Sequence, residues 1–377
     1  MTRIGIFSGN RAEYGLLKHL IKGIDLDENL DLQLFLSGAH LSQLYGRTIN
    51  EVLQDNIKPK ALIPLSIDND PPFSMSYLTG EMIIGFEKIL RKHSPELLIL
   101  LGDRYETFAA ASTAHLMQVP IVHIHGGETT LGAVDDKLRH AISQLSSWHF
   151  AAAEAHKQKL ISMGIDEKYI FQKGPMIIDG ILNTKSISKK EFENNINFKF
   201  NAKNLLVTYH PETLSNDNGI RGLESLLKAI KNTDCNVLFT GPNTDEGGDI
   251  ILRIILEFIS SQPSKYFFHH SLGQSNYINA LKLFDVVAGN SSSGIIEAPL
   301  IRTPVLNLGK RQEGRFRFGK VFDVSSEYEA IKHGLDLLLK NQLSEKEEKN
   351  ISHFKSPSLE IINWINRQRL IGFKVKN

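Results

Sequence analysis

Short continuous apolar runs alternate with amphipathic windows along nearly the whole chain. In the first half, strand-like runs fall at residues 3–8, 31–37, 60–64, 97–101, 120–125 and 149–152. Between them, apolar residues recur at helical spacing over 14–24, 75–93, 106–117 and 155–163. A run such as Leu97-Leu-Ile-Leu-Leu101 has no polar face, which predicts a strand covered on both sides, as in a parallel sheet. Strands and helices in alternation predict a doubly wound α/β domain. The pattern thins over 183–203, a polar stretch that reads as a linker with one short helix. It resumes with strands at 205–209, 236–240, 267–269, 286–288, 304–308 and 321–324. Helices are expected near 222–230, 250–258, 277–283 and 328–339, with a last one over 359–370. Two Rossmann-like halves are therefore expected, with a ligand cleft between the carboxyl ends of their strands.

Length agrees with that division, since 377 residues exceed the roughly 250–300 at which a single core stops growing. Charge narrows the partners. Lys plus Arg (43) nearly balance Asp plus Glu (42), so no overall field draws the chain to nucleic acid, and any anion must be held by a local cluster. The single cysteine, Cys235, excludes an intrachain disulfide and a cysteine metal cage. The opening Met-Thr-Arg-Ile-Gly-Ile is too short and wrongly flanked for a signal peptide. No apolar run approaches the ~20 residues of a membrane helix, so a cytoplasmic protein without membrane contact is expected.

The strongest chemical signal lies in and just after the run at 120–125. His123, His125, Glu128, Asp135, Asp136, Lys137, Arg139 and His140 crowd together there. A strand that only filled a core would avoid them, because burying an unpaired charge costs several kcal/mol. Crowded ionisable groups push each other's pKa values apart, which lets one site hold both an acid and a base. A solvated strand end leading into a salt-bridged helix is the plainer alternative.

Four further segments leave predicted strand ends. Ser8-Gly-Asn-Arg-Ala-Glu-Tyr-Gly15 turns into a helix and places Arg11 where an anion would be favoured, but it lacks the later glycines of a dinucleotide fingerprint. Gly102-Asp-Arg-Tyr-Glu106 sets Asp103 beside Arg104, either as a structural ion pair or as a neighbour of the acidic cluster. In Val207-Thr-Tyr-His-Pro-Glu-Thr213 the proline stops the strand and leaves His210 at its end. Ala288-Gly-Asn-Ser-Ser-Ser-Gly294 offers successive amides and hydroxyls at a helix start, a cradle for phosphate oxygens, with Glu297 one turn on. His123 and His125 share a strand face, yet no third ligand stands at a metal-site spacing, so no metal is expected.

Taken in order, Asn10-Arg-Ala-Glu-Tyr14, Ser37-Gly-Ala-His40, Gly102-Asp-Arg104, His123-Ile-His-Gly-Gly-Glu128, Asp135-Asp136 with Arg139-His140, His210-Pro211, Gly289-Asn-Ser-Ser292 and Gly309-Lys-Arg-Gln312 closely resemble the hydrolysing UDP-N-acetylglucosamine 2-epimerases of bacterial sialic acid synthesis. The resemblance implies an α/β fold of glycosyltransferase-B type, with a first domain over 1–182, a second over 183–356, and a C-terminal helix (357–377) packed back on the first. It implies a homodimer or homotetramer that converts UDP-N-acetylglucosamine and water to N-acetylmannosamine and UDP without a cofactor. By motif position, Asp103, Glu128 and Asp135 become proton-transfer groups, with His125 standing where some relatives carry a glutamate. His210 is counted among the catalytic groups beside a diphosphate bed of Arg11, Arg104, Ser291, Ser292 and Arg311. Glu297 is assigned to ribose and Asn243 to the nucleotide, while His40 and Asp136 are placed near the sugar. The same reaction on a UDP-linked 2,4-diacetamido-2,4,6-trideoxyhexose, toward legionaminic acid, is the alternative. A UDP-sugar glycosyltransferase is a more distant one, since it would leave the 121–140 cluster idle.

Overall fold

The apolar runs pair as parallel strands in two separate sheets. Residues 1–69, 73–129, 134–212, 215, 217–243, 247–340 and 354–373 are described by the structure, a computed structural model. The chain divides into two compact units, Met1–Asp179 with Phe354–Asn377, and Gly180–His353. The first division falls three residues before the expected 182/183 boundary, inside a helix rather than in a loop.

In the first unit the strands are β1 (Thr2–Ser8), β2 (Leu30–Ser37), β3 (Ala61–Ile63), β4 (Leu97–Leu101), β5 (Ile121–Ile124), β6 (Trp148–Ala151) and β7 (Ile170–Gln172). They lie in the order β3-β2-β1-β4-β5-β6-β7. Ile4 pairs with Leu97, and Ile99 stands between Ile6 and Val122, so the most apolar strand is central. All five β4 residues are buried; at about 1.5–3 kcal/mol for each large aliphatic side chain, this strand contributes on the order of 10 kcal/mol against chain entropy. The helices are α1 (Arg11–Asp25), α2 (Ile49–Gln54), α3 (Met75–His93), α4 (Tyr105–Leu116), α5 (Val134–Leu145), α6 (Glu154–Ser162) and α7 (Ile177–Asn183). α5 has no counterpart in the apolar periodicity, because its buried face carries Arg139 and Ser143 alongside Ile142.

The second unit runs from α8 (Lys189–Ile196) through β8 (Asn204–Thr208), α9 (Ile220–Lys231), β9 (Asn236–Thr240), α10 (Gly248–Ser260), β10 (Tyr266–His269) and α11 (Gly273–Leu283). It continues with β11 (Val286–Gly289), α12 (Glu297–Leu300), β12 (Val305–Leu308), β13 (Phe322–Val324) and α13 (Tyr328–Lys340). The sheet order is β10-β9-β8-β11-β12-β13, again all parallel. The expected linker at 183–203 is instead part of this unit. Phe192, Ile196 and Phe198 are buried, and the rings of Phe198 and Phe284 lie 4.9 Å apart. Its polar residues mask a helix whose few apolar positions all point inward.

The last helix, α14 (Pro357–Gln368), belongs to the first unit and packs on α1. Ile361, Ile362, Trp364 and Ile365 form its buried face, and Trp364 meets Trp148 edge-on at 5.3 Å. Asp179, fully buried, receives the Ser358 N–H (3.0 Å), the Ser358 hydroxyl (2.6 Å) and the Ser356 hydroxyl. A carboxylate at a helix N-terminus satisfies unpaired amides and complements the dipole, which ties the returning chain down. No described helix is long and apolar enough to cross a membrane.

Candidate active site

In each sheet the strand order reverses between two neighbours, β1 and β4 in the first, β8 and β11 in the second. Loops leaving the carboxyl ends of such a pair diverge to opposite faces and open a crevice, where α/β folds bind ligands. The candidate residues of each unit fall on these loops or the adjoining ones.

In the first unit, β4 ends in the Gly102 turn and presents Asp103, while β5 ends at Ile124 and the loop from His125 presents Glu128. Arg139, from α5, reaches both. Its Nη2 donates to Asp103 Oδ2, and its Nη1 donates to Glu128 Oε2 and to the His125 carbonyl, both at 3.1 Å. His125 sits at φ +64°, a left-handed conformation that non-glycine residues rarely adopt. Its Nε2 accepts the Met176 N–H (3.1 Å), so in the neutral ring the proton lies on Nδ1, 3.3 Å from Glu128 Oε1. Burial pushes the His125 pKa down, against the pull of Glu128. The ring is thus engaged on both nitrogens, by the Met176 amide and by Glu128.

His123 is buried, and burial pushes its pKa down to about 3. The neutral ring donates from Nε2 to the Gly102 carbonyl (2.8 Å) and accepts the Ser143 hydroxyl at Nδ1 (3.0 Å), bracing the turn that carries Asp103. Neither histidine has a nitrogen to spare for a metal. Among the described residues no group of three His, Cys, Asp or Glu side chains is placed to hold one. Asp135, half-buried on the first turn of α5, makes no hydrogen bond or ion pair with another described residue. Burial raises its pKa, and nearby Asp103 raises it further. The next residue, Asp136, faces His140 one turn further along the helix at 3.8 Å.

The remaining first-unit candidates are spread along the sheet edge. Arg104 donates to Glu106 (3.2 Å), a carboxylate only 2 % exposed. Glu13 is likewise buried; burial pushes it up to about 8, and its two oxygens accept the Gly9 N–H (2.7 Å) and the Asn10 amide (2.8 Å). Both glutamates lie within the motifs at 8–15 and 102–106, which assign them no role, although Asn10-x-x-Glu13 is a capping-box spacing. Arg11 pairs with Glu51 of α2 at 2.9 Å. His40 is fully buried between Ser8 (3.0 Å) and Thr48 (2.9 Å), both ring nitrogens occupied, and burial lowers it to about 4.

In the second unit, Asn290 follows β11 and clasps the main chain of His210, which follows β8. The His210 N–H donates to Asn290 Oδ1 (2.7 Å), and Asn290 Nδ2 donates back to the His210 carbonyl (2.8 Å). The Asn243 N–H donates to His210 Nδ1 (3.0 Å), which puts the proton of the neutral ring on Nε2, 3.3 Å from Ser291 Oγ. Ser292 opens a single 3-10 turn, Ser292–Gly294. Arg311 donates to the Pro211 carbonyl (3.2 Å) and the Asn290 carbonyl (3.3 Å), while buried Gln312 donates to the same Asn290 oxygen (2.8 Å). His210, Asn243, Ser291 and Arg311 are therefore one assembly. Asn290 at its centre was legible only as part of the Gly/Ser motif. Glu297 begins α12; its Oε2 is shut from solvent with no partner among the described residues, and burial pushes the group up to about 7. A loop of amides, hydroxyls and one guanidinium suits an anion, and a desolvated carboxyl beside it suits a pair of hydroxyl donors.

The family UDP-N-acetylglucosamine 2-epimerase matches residues 22–358. The chain belongs to that family. It is 38 % identical over 335 residues to the hydrolysing UDP-N,N'-diacetylbacillosamine 2-epimerase of Legionella pneumophila, covering 89 % of this chain and 88 % of the relative. The hydrolysing GDP/UDP-N,N'-diacetylbacillosamine 2-epimerase of Campylobacter jejuni is 36 % identical over 322 residues, 85 % of this chain and 84 % of the relative. In fold, the chain is similar to the crystal structure of the Neisseria meningitidis UDP-GlcNAc 2-epimerase bound to UDP-GlcNAc, with a TM-score of 0.79 at 19 % identity over 98 % of this chain and 100 % of that one. The expected class holds: two α/β units of glycosyltransferase-B type, in an enzyme family of hydrolysing UDP-sugar 2-epimerases.

Proposed function

We propose that this family member hydrolyses a UDP-linked 2-acetamido sugar with inversion at carbon 2, by elimination and then hydration. The observation that carries the reading is the pair Asp103 and Glu128 on one guanidinium, with Asp135 nearby and, among the described residues, without a hydrogen bond or ion pair. A base takes the proton from carbon 2 while the bond from carbon 1 to the diphosphate oxygen breaks, giving UDP and a 2-acetamidoglucal. Water then adds its oxygen to carbon 1, and a proton is delivered to the other face of carbon 2. The sum is UDP-sugar plus water to free epimeric sugar plus UDP. Carbon 2 has no carbonyl beside it in the ring, so coupling its deprotonation to departure of UDP avoids a discrete carbanion. Asp103, Asp135 and Glu128 serve as the proton-carrying set. Ser291, Ser292, His210, Arg104 and Arg311 meet the diphosphate, Glu297 the ribose, and Asn243 the nucleotide.

The substrate is a UDP-2,4-diacetamido-2,4,6-trideoxyhexose. This choice is supported by the names of the Legionella and Campylobacter relatives. UDP-N-acetylglucosamine is the second reading, supported by the family description. A methyl in place of a hydroxymethyl changes binding by about 1–3 kcal/mol, enough to give a measurable preference. The test offers both nucleotide sugars in heavy water and identifies the released sugar by NMR. UDP release with deuterium at carbon 2 is expected, with faster turnover of the diacetamido sugar. A product unlabelled at carbon 2 would exclude the elimination route, and release of UDP only with an acceptor sugar would point to a glycosyltransferase.

A further inference from the structure

We propose that Arg139 is a positioning residue, a single guanidinium that holds Asp103 and Glu128 in fixed orientation without itself meeting substrate. The proposal rests on the reaction put forward above. Arg139 is 8 % exposed, and its Nη atoms are spent on three groups from two strand ends: Asp103 after β4, and the His125 carbonyl and Glu128 after β5. A buried arginine serving only the fold needs one carboxylate to offset its desolvation. Here it gathers two, which leaves a net negative group and brings like charges together, an arrangement a purely structural pair would avoid.

The surroundings reinforce the clamp from behind. Glu128 is gripped on its second oxygen by His125 Nδ1 (3.3 Å), and that ring is pinned on its far side by the Met176 amide. The turn bearing Asp103 is braced through the Gly102 carbonyl by His123. Asp103 uses only Oδ2 toward Arg139, so among the described residues Oδ1 has no hydrogen-bond partner, and the side chain is 20 % exposed. Support behind the carboxylates and an open oxygen in front are what a proton carrier needs.

Removing the guanidinium leaves two carboxylates without their shared cation. The other charged and titratable groups that face this cluster are Asp135, Arg104 with the Glu106 carboxylate that holds it at 3.2 Å, and the histidines His123, His125, His140 and His156. All four histidines are held below their ordinary value by burial, so none supplies a replacement charge at neutral pH. The acidic limb of the pH–rate profile should therefore move up, by about 1–3 pH units for loss of a contacting opposite charge.

The experiment first measures UDP release by the full-length wild-type protein from both nucleotide sugars. No release from either would end the proposed function itself, whatever Arg139 does. With activity in hand, Arg139→Lys and Arg139→Ala are compared, the latter with and without added guanidinium ion. The expected result is a kcat at least about 100-fold lower for Arg139→Ala, with KM and UDP affinity near normal. Partial recovery in Arg139→Lys or with guanidinium, and an upward shift of the acidic limb, complete the expectation. Unchanged kcat, a loss confined to KM, or an unmoved pH profile would each overturn the assignment. So would failure of both variants to fold, judged by circular dichroism and melting, since that would make Arg139 a residue of the fold.

Discussion

Gly289 is the position where one methyl group should do the most damage to the second unit. It ends β11 at φ +137°, a region open in practice only to glycine, and a Cβ built there would lie 1.9 Å from the Thr208 carbonyl oxygen of β8. Side-chain carbons do not approach within 3.0 Å of such atoms, so the main chain must shift by about 1 Å. The neighbouring strand cannot yield, because β8 is central and paired on both sides. The shift therefore falls on Asn290, whose two hydrogen bonds to His210 (2.7 and 2.8 Å) do not survive that displacement. Backbone strain of about 1–3 kcal/mol and two lost hydrogen bonds of about 1 kcal/mol each sum to roughly 3–5 kcal/mol. Gly289→Ala should lower the urea midpoint accordingly and weaken UDP binding at least about tenfold, because Ser291 and His210 lose their common brace. Equilibrium unfolding and calorimetric titration with UDP read the two effects. A variant that keeps wild-type stability and UDP affinity would refute the claim that this crossing fixes the loop.

Asp103→Asn keeps size and removes one of the proposed proton carriers; kcat should fall about 10²–10⁴-fold while UDP affinity stays within about twofold, and equal loss of both would make Asp103 structural. Glu297 titrates near 7 in the folded protein and lower when unfolded, so the fold favours its protonated form. Stability should fall as pH rises from about 4.5 to about 7, by about 3 kcal/mol in all, and urea midpoints of Glu297→Gln should lack that component. If ribose hydroxyls need the carboxylate, UDP binding should also release a proton below pH 7, visible as a buffer-dependent binding enthalpy; no buffer dependence would remove Glu297 from the ribose. Asp179→Ala strips three donors of their acceptor and should cost about 3 kcal/mol, exposing α14 to limited proteolysis, with Asp179→Asn intermediate. An unchanged melting temperature would show that α14 docks by its apolar face alone.

Periodicity determined the two parallel sheets, because a strand covered on both faces must be apolar along its middle, as Leu97–Leu101 and the Val237-Leu-Phe239 centre of β9 are. The Gly/Ser composition after β11 and the proline after His210 likewise announced their turns, since those residues act through local backbone geometry. Tertiary structure decided what depends on a partner distant in sequence. α5 is a helix whose inward face is an arginine and a serine, and only Asp103, Glu128 and His123 make that face tolerable in a core. Residues 183–203 look like a solvated linker until Phe192 and Phe198 meet Phe284. His40 and His125 stand in motifs that do not show their partners, and the fold sets both ring nitrogens of each against hydroxyls, or against an amide and a carboxylate. Local propensity is written in neighbouring residues, whereas the satisfaction of a buried polar group is a property of the folded neighbourhood, and no spacing along the chain encodes it.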